Sequence, residues 1–429
     1  MKAALDYCKQ ALLQAGVDKF QCTLTESQQY EMNLEGTEFT LIRTLTDNTL
    51  GITLIKDNRR GSISINRLGE KDIDEAIETA LELLNSSQPD PDYDIAPQQD
   101  PQQFVAGPQE PDTERMYQLL KEYTQQVPAL FPAIKLMETI FVYNHSVQHF
   151  INSNGVDFVT TQGVYTLQSV FSSKDGEKTT SFNYSGFALK DLEDSLLEQA
   201  SLKGLLRQSV EHLEARPLTG KFVGDVIITP DCLNMFIQYY MGTFLGDRAL
   251  IAGTSPLKDK LGEQVAASKL TLSAQPVSPD MAAGYFVTGD GFAAENVTYI
   301  ENGVLKSFLL SQYGSKKTGL ERAKNSGGCW VIEPGDKSLD EMIAQVERGI
   351  LLARYSGNNP SPNGDFSGVA KNSYYIENGK IMYPVNETMV SGNLAEVFKN
   401  IKDVSAERTD FGMALLPYVL SSGVTISGK

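Results

Sequence analysis

The sequence predicts an α+β protein, with an amino-terminal antiparallel sheet and packed helices followed by a β-rich carboxy-terminal domain. Three observations carry this prediction. Residues 19–66 read as successive strands separated by turn residues. Residues 71–85 place Ile73, Ala76, Ile77, Ala80, Leu81 and Leu84 at the three-and-four spacing of an amphipathic helix. The motif Tyr299-Ile300-Glu301-Asn302-Gly303 returns as Tyr375-Ile376-Glu377-Asn378-Gly379, and Asn-Gly between alternating apolar residues is a strong hairpin signal.

In chain order, a first helix over 3–15 groups Leu5, Cys8, Leu12 and Ala15 near one face and stops at Gly16. The strands of 19–66 are punctuated by Gly36, Asp47-Asn48, Asp57-Asn58 and Gly61, read as hairpin turns. After the 71–85 helix, residues 88–111 are rich in Pro, Gln and Asp without apolar periodicity, which predicts a long surface connection. A helix over 112–126 leads to strands at 133–147, 156–173 and 178–187, with Asn154-Gly155 as a turn. A helix over 190–214 then ends at Arg216-Pro217-Leu218-Thr219-Gly220. That break divides the chain into an α+β domain, 1–216, and a β-rich domain, 217–429.

In the second domain, 223–228 reads as a buried strand. Thr229 is an N-cap and Pro230 the first helical residue, followed by the apolar stripe Leu233, Phe236, Ile237, Tyr240 and Met241. The repeated motif predicts two related hairpins in one sheet, with a pseudo-twofold relation as one meaning of the repeat. Helices at 339–353 and 393–399 are opened by Ser338 with Glu341 and by Asn393 with Glu396, in the spacing of a capping box.

Composition excludes several classes. The 429 residues, 41% hydrophobic and 21% charged, describe a globular protein long enough for two or three domains. A net charge of −17, with no Lys/Arg run beyond pairs such as Arg59-Arg60 and Lys316-Lys317, speaks against direct nucleic-acid binding. No stretch approaches the roughly 18–20 apolar residues of a membrane helix. Lys9 and Gln10 interrupt any secretory core, so a cytoplasmic location is expected. Cys8, Cys22, Cys232 and Cys329 lie far apart, which suits reduced, buried thiols.

Metal and nucleophile chemistry is sparse. Zinc needs ligands gathered within about 2.0–2.3 Å of one ion, and the chain has only His145, His149 and His212. His145 and His149 are four apart but lie in a strand-like run, where four residues span roughly 13 Å, too far to share an ion. His212, beside Glu211 near a helix end, reads as a solvated residue favoured by the helix dipole. Gly289-Asp290-Gly291-Phe292-Ala293-Ala294 fits a loose dinucleotide fingerprint, yet a hairpin rather than a helix follows, so it reads as a loop. Gly364-Asp365-Phe366-Ser367-Gly368 reads as a structural turn that could offer a ligand backbone groups and one carboxylate.

Several blocks together carry a likeness: Asn302-Gly303-Val304-Leu305-Lys306-Ser307-Phe308-Leu309-Leu310, Glu333-Pro334-Gly335-Asp336-Lys337-Ser338, Gly364-Asp365-Phe366-Ser367 and Gly392-Asn393-Leu394. In this order and spacing they resemble the TldD/PmbA family, specifically its TldE (PmbA) branch, and the likeness covers nearly the whole chain. The resemblance implies a cytoplasmic metallopeptidase built from TldD and TldE subunits, active in proteolysis, peptide maturation and degradation of antitoxin-like or unfolded peptides. It also carries the older name modulator of DNA gyrase. In TldD-like members an H-E-x-x-x-H motif follows a buried strand and opens a helix, and a cysteine near the carboxy terminus completes the metal site. Here Val226-Ile227-Ile228 is followed by Thr229-Pro230-Asp231-Cys232-Leu233-Asn234, and Glu407-Arg408-Thr409-Asp410 stands where the cysteine is expected. Asp231 and Cys232, as neighbours on a helix, project in different directions.

The resemblance therefore implies a subunit with no catalytic residue or metal of its own, and a zinc-like ion in a TldD-like catalytic partner. Peptide or unfolded-protein substrates, no direct nucleic acid, no membrane, and a hetero- or homo-oligomer are expected. Asp365, Phe366 and Ser367 are the candidate substrate-binding residues, and peptide is expected to bind as an added strand. An autonomous peptidase with an unrecognised site and a non-enzymatic regulatory binding protein are the alternatives.

Overall fold

The computed structural model describes residues 2–429. Helix α1 (Lys2–Gln14) buries Leu5, Cys8 and Leu12. Strands β1 (Lys19–Glu35), β2 (Glu38–Lys56) and β3 (Arg59–Ile65) form the expected meander. Gly36, at φ 63°, makes the first turn, and Asp57 and Asn58, at φ 52° and 59°, make the second. The other two expected turns are absent. Asp47 and Asn48 pair with Ser27 and Glu26 inside β2, because the β1 ladder runs unbroken through them. Gly61 lies within β3, opposite Leu54. A Cβ there would sit 2.0 Å from Ala80 O, so glycine lets helix α2 (Glu70–Ser86) lie directly on the strand.

The connection at 88–111 is less superficial than its composition suggests. Ile95 and Ala96 are buried, and residues Gln102–Ala106 form β4, which pairs in parallel with β6. Helix α3 (Thr113–Leu130) is capped by Asp112, which accepts from Arg115 N. Strands β5 (Ile134–Asn152) and β6 (Asp157–Asp175), β7 (Lys178–Thr179) and β8 (Asn183–Leu189) complete an eight-stranded sheet of order β3-β2-β1-β5-β6-β4, with β7 and β8 both on β6. The helix expected over 190–214 is broken. Ala200, at φ 48°, separates a short 3-10 turn from α4 (Leu202–Glu211), and His212–Glu214 form another 3-10 turn.

The second, fourteen-stranded sheet contains β9 (Arg216–Pro217), β10 (Lys221–Ile228), β11 (Leu272–Ala274), β12 (Val297–Glu301), β13 (Val304–Leu305), β14 (Trp330–Ile332) and β15 (Arg348–Leu352). It continues through β16 (Arg354–Gly357), β17 (Asp365–Lys371), β18 (Ser373–Glu377), β19 (Lys380–Asn386), β20 (Thr388–Asn393), β21 (Ile401–Asp410) and β22 (Ala414–Ser427). Helices α5 (Pro230–Tyr240), α6 (Asp247–Ile251), α7 (Gln312–Thr318), α8 (Leu339–Ala344) and α9 (Leu394–Lys399) accompany it. The main path runs β13-β12-β11-β14-β22-β10-β15-β18-β19-β9. Both Asn-Gly hairpins form with left-handed pairs, Asn302/Gly303 at φ 48°/79° and Asn378/Gly379 at 50°/72°, on opposite sides of the central β22–β10 pair.

The helix expected over 339–353 stops at Ala344. Ser338 and Glu341 do form the capping box, but residues 348–352 become β15, parallel to β10 and antiparallel to β18. Ile350, Leu351 and Leu352 are covered on both sides, and a short continuous apolar run does not tell a buried strand from a helix. Asn393 caps α9 as expected, accepting from Ala395 N and Glu396 N, whereas the Glu396 side chain pairs with Lys399.

Two of the regions where the halves touch bear on the site. At the first, the 90–99 strap meets α7 and the 287–293 loop: Tyr313 OH donates to Asp90 (2.8 Å), Lys317 pairs with Asp90 and Asp92, and Gln99 bridges Gly291 O and Ala293 N. Beneath these contacts Ala96, Phe150, Val156 and Phe158 pack with Val287, Phe292 and Ala293. At the second, β8 faces α5 and the start of β16 across an open cleft.

Candidate functional site

The cleft follows from how α5 is set into the core. Thr229 caps the helix, accepting from Cys232 N, and Pro230 occupies its first turn. Leu233, Phe236, Ile237 and Tyr240 are buried in the core of the second half. Asp231, Asn234, Met235 and Gln238, spaced three, four and seven along the helix, are left on another face. They line a cavity of about 580 Å³, within the range of ligand-binding clefts, whose other wall is β8 with Ile140, Val142, Thr166 and Gln168 of β5 and β6. Ala353, Arg354, Phe411 and Met413 close its margin.

Asp231 is a polar group of this cleft whose titration is displaced upward. Ser201 Oγ donates to it at 2.5 Å, favouring the charged form, but burial dominates and pushes its pKa up to about 6. Cys232 turns into the core, 2% exposed, and burial pushes its thiol well up. It is neither a ready nucleophile nor a metal-binding thiolate.

These residues do not fit a zinc ion. The start of α5 presents one carboxylate and no imidazole, and Glu407 spends its carboxylate on Leu339 N at 3.2 Å. Among the described residues no three His, Cys, Asp or Glu side chains are gathered as a metal-binding group. His145 and His149 lie on β5, as strand residues. His212 corrects the expectation of a solvated residue: it is buried, with Nδ1 2.7 Å from Gln208 O and Nε2 3.1 Å from Ser373 O. Desolvation holds its pKa below the usual value, and the ring ties the end of α4 to β18. All four cysteines are free and buried; Cys8 Sγ and Cys22 Sγ are 3.8 Å apart.

The three sequence-predicted substrate residues do not converge. Residues 365–367 are the first residues of β17 rather than a turn, paired with Asn393, Gly392 and Ser391. Strand alternation turns Phe366 inward, where its ring packs edge-on against Phe236 and Tyr355, so it is a core side chain. Asp365 and Ser367 face outward. Asp365 accepts from Asn393 Nδ2 (2.9 Å) and Asn363 Nδ2 (2.8 Å), which hold its carboxyl below the usual range. None of the three lines the cleft.

Sequence reasoning missed three further polar residues that line it: Asn183 and Ser185 on β8, and Arg354. Asn183 Nδ2 and Ser185 Oγ are buried without a hydrogen-bond partner, at 2% exposure each. Arg354 Nη1 donates to Phe182 O (2.8 Å), and the guanidinium lies over Phe182 and Tyr184. The one sequence signal was a charge at the end of the apolar run Ile350-Leu351-Leu352-Ala353.

Comparison with known proteins places this architecture. Residues 219–428 match the family model of the PmbA/TldA metallopeptidase C-terminal domain. Metalloprotease PmbA of Escherichia coli O157:H7 is 26% identical over 396 residues, covering 88% of this chain and 86% of that protein. A Metalloprotease PmbA homolog of Haemophilus influenzae is 25% identical over 392 residues, covering 87% and 83%. Among solved structures, TldE from Thermococcus kodakarensis superposes with a TM-score of 0.82 at 22% identity, over 100% of both chains. A candidate modulator of DNA gyrase from Bacteroides thetaiotaomicron gives 0.87 at 23% identity, over 100% of this chain and 99% of that one.

Fold and relatives together define an α+β protein similar to PmbA-type metalloproteases, whose β10–α5 junction gathers no metal-binding group among the described residues. The carboxy-terminal half thus matches the PmbA/TldA metallopeptidase C-terminal domain, and over nearly its whole length the chain is similar to PmbA metalloproteases and shares the fold of TldE.

Proposed function

We propose that this chain is a TldE/PmbA-like, non-catalytic subunit of a TldD/TldE-type metallopeptidase. Its role is to shape the peptide channel of a TldD-like partner, which supplies the zinc-like ion. Peptide hydrolysis, in proteolysis or peptide maturation, is then a property of the cytoplasmic assembly, acting on peptides or unfolded chains. The observation that carries this reading is the junction after β10, where Thr229, Pro230, Asp231 and Cys232 cap and open α5 in place of metal-binding side chains. Against nucleic acid stands the net charge of −17. Asp365 and Ser367, outward on β17, are proposed peptide contacts of the assembly.

The test is peptidase activity and bound metal, measured on the chain alone and then mixed with the TldD-like protein of the same organism. Activity in the mixture only, with metal following the partner, is the expected outcome.

One observation favours autonomous hydrolysis: Asp231, poised at about 6 in a cleft, has the titration of a general base near neutral pH. That reading requires activity of the isolated chain that Asp231→Asn abolishes.

A further inference from the structure

We propose that the cleft between β8 and α5 binds an extended peptide bearing a carboxylate, with the peptide backbone added as a strand to the free edge of β8 and the carboxylate on Arg354. The inference rests on the subunit reading only in taking peptide as the ligand class.

The edge comes first. Strand β8 has one strand neighbour, β6. Ala188 N–H points away from β6, donating to Phe411 O at 2.8 Å. Backbone direction alternates along an antiparallel strand, so Tyr184 and Gly186 also present their backbone groups outward. Tyr184 N–H is engaged by Asn183 Oδ1 at 3.0 Å. Gly186 keeps its outward N–H and C=O without a partner among the described residues, and a Cβ built on it meets nothing nearer than Leu167 O at 3.8 Å. An exposed pair of backbone groups on a strand edge is a template for a further strand.

The side chains around that edge point the same way. Asn183 Nδ2 and Ser185 Oγ are nine-tenths buried or more, line the cleft, and lack protein partners. Groups desolvated without a partner are costly, and a ligand that brings donors and acceptors recovers that cost. Arg354 uses one of its five N–H groups on Phe182 O, is steadied by the Phe182 and Tyr184 rings, and pairs with no carboxylate among the described residues. A planar fork held this way suits a bidentate carboxylate. Asp231 on α5, hydrogen-bonded to Ser201 at the start of α4, opposes a second anion, which assigns the carboxylate to the Arg354 side.

The test is fluorescence anisotropy of the full chain, alone, with three labelled short peptides of Ala, Val and Thr. One has a free C-terminal carboxylate, one is amidated, and one is amidated with a central Glu. At least one carboxylate peptide is expected to bind about tenfold or more tighter than the neutral amide, the effect of a charge-assisted pair. Which of the two tightens identifies the carboxylate as terminal or side-chain. Arg354→Gln should level the three affinities. Gly186→Pro, which removes an outward N–H that β6 does not use, should weaken all three while preserving their order. Equal binding of all three by the unaltered chain, or a preference that survives Arg354→Gln, overturns the proposal. Hydrogen exchange gives a variant-free check: bound peptide should protect residues 184–187, and protection confined elsewhere contradicts the site. Failure to bind peptide with activity retained in a mixture with the TldD-like partner removes this inference alone. Binding without activity in that mixture removes the subunit reading alone.

Discussion

Two regions where the halves meet are built on opposite rules. At the strap, Asp90 accepts from Tyr313 and Lys317, Asp94 from Lys19 and Lys316, and Gln99 both donates and accepts across the boundary. Gln312 Oε1 is left over there. The resulting electrostatics are those of a closed contact: hydrogen bonds and lysine charge outweigh desolvation and hold both aspartates at about 2. Across the cleft, Asp231 is instead pushed up to about 6, Asn183 and Ser185 keep unpartnered atoms, and Arg354 meets no carboxylate. The strap fastens the halves, and the cleft is where the same boundary stays open.

The sharpest way to break this contrast is at the apolar floor of the strap. Phe158 is fully buried against Phe104 and beside Val287 and Phe292. Phe158→Ala is expected to cost about 3–5 kcal/mol in denaturant unfolding. A cost below about 1 kcal/mol would mean that the strap does not hold the halves together.

Asp231→Asn comes next, and its effect depends on pH. The folded value, about 6, lies above the ordinary aspartate value of 3.8, so the folded chain holds this proton more tightly than the unfolded chain does. The associated stability is complete below 3.8 and is lost as pH rises through 6. Asn keeps an acceptor for Ser201 and removes the cost of ionisation. The variant should therefore gain up to about 3 kcal/mol over the parent at pH 8, a gain that vanishes towards pH 4. The same difference at both pH values would show that Asp231 titrates normally.

Ser185→Ala deletes a buried hydroxyl that has no partner, so stability should rise by up to about 1 kcal/mol while peptide binding weakens. Loss of stability in thermal unfolding would show that the hydroxyl is satisfied within the protein. The smallest effect on folding is expected at Asp365, which is exposed and bound to Asn363 and Asn393. Asp365→Ala should leave the unfolding midpoint unchanged and reduce peptide turnover by the reconstituted pair. Unchanged kinetics would remove Asp365 from the substrate path.

What could be read from the sequence follows the range of the forces involved. The two Asn-Gly hairpins and the Thr229-Pro230 helix start were legible because left-handed φ values and capping are set by adjacent residues. Asp47-Asn48 and Gly61 misled because the same residue types sit inside strands when a ladder or a packed helix demands it. The sequence of β15 reads as helix because burial on both faces erases the period that separates strand from helix. His212 reads as solvated in the sequence because its contact with Ser373 lies far along the chain. The candidate site suffered most. Phe366 shares a motif with Asp365 and Ser367, yet strand alternation sends it into the core, while Asn183 and Ser185 meet Arg354, about 170 residues away in the chain, only at the cleft.

The most direct measurement is peptide hydrolysis and bound metal for the purified chain, first alone and then with the TldD-like protein of the same organism. The account predicts no turnover and no stoichiometric metal in the chain alone, and hydrolysis in the mixture with the metal on the partner. Chelator-sensitive hydrolysis by the chain alone would contradict it, and would mean that a metal centre assembles from residues that stand apart in this structure.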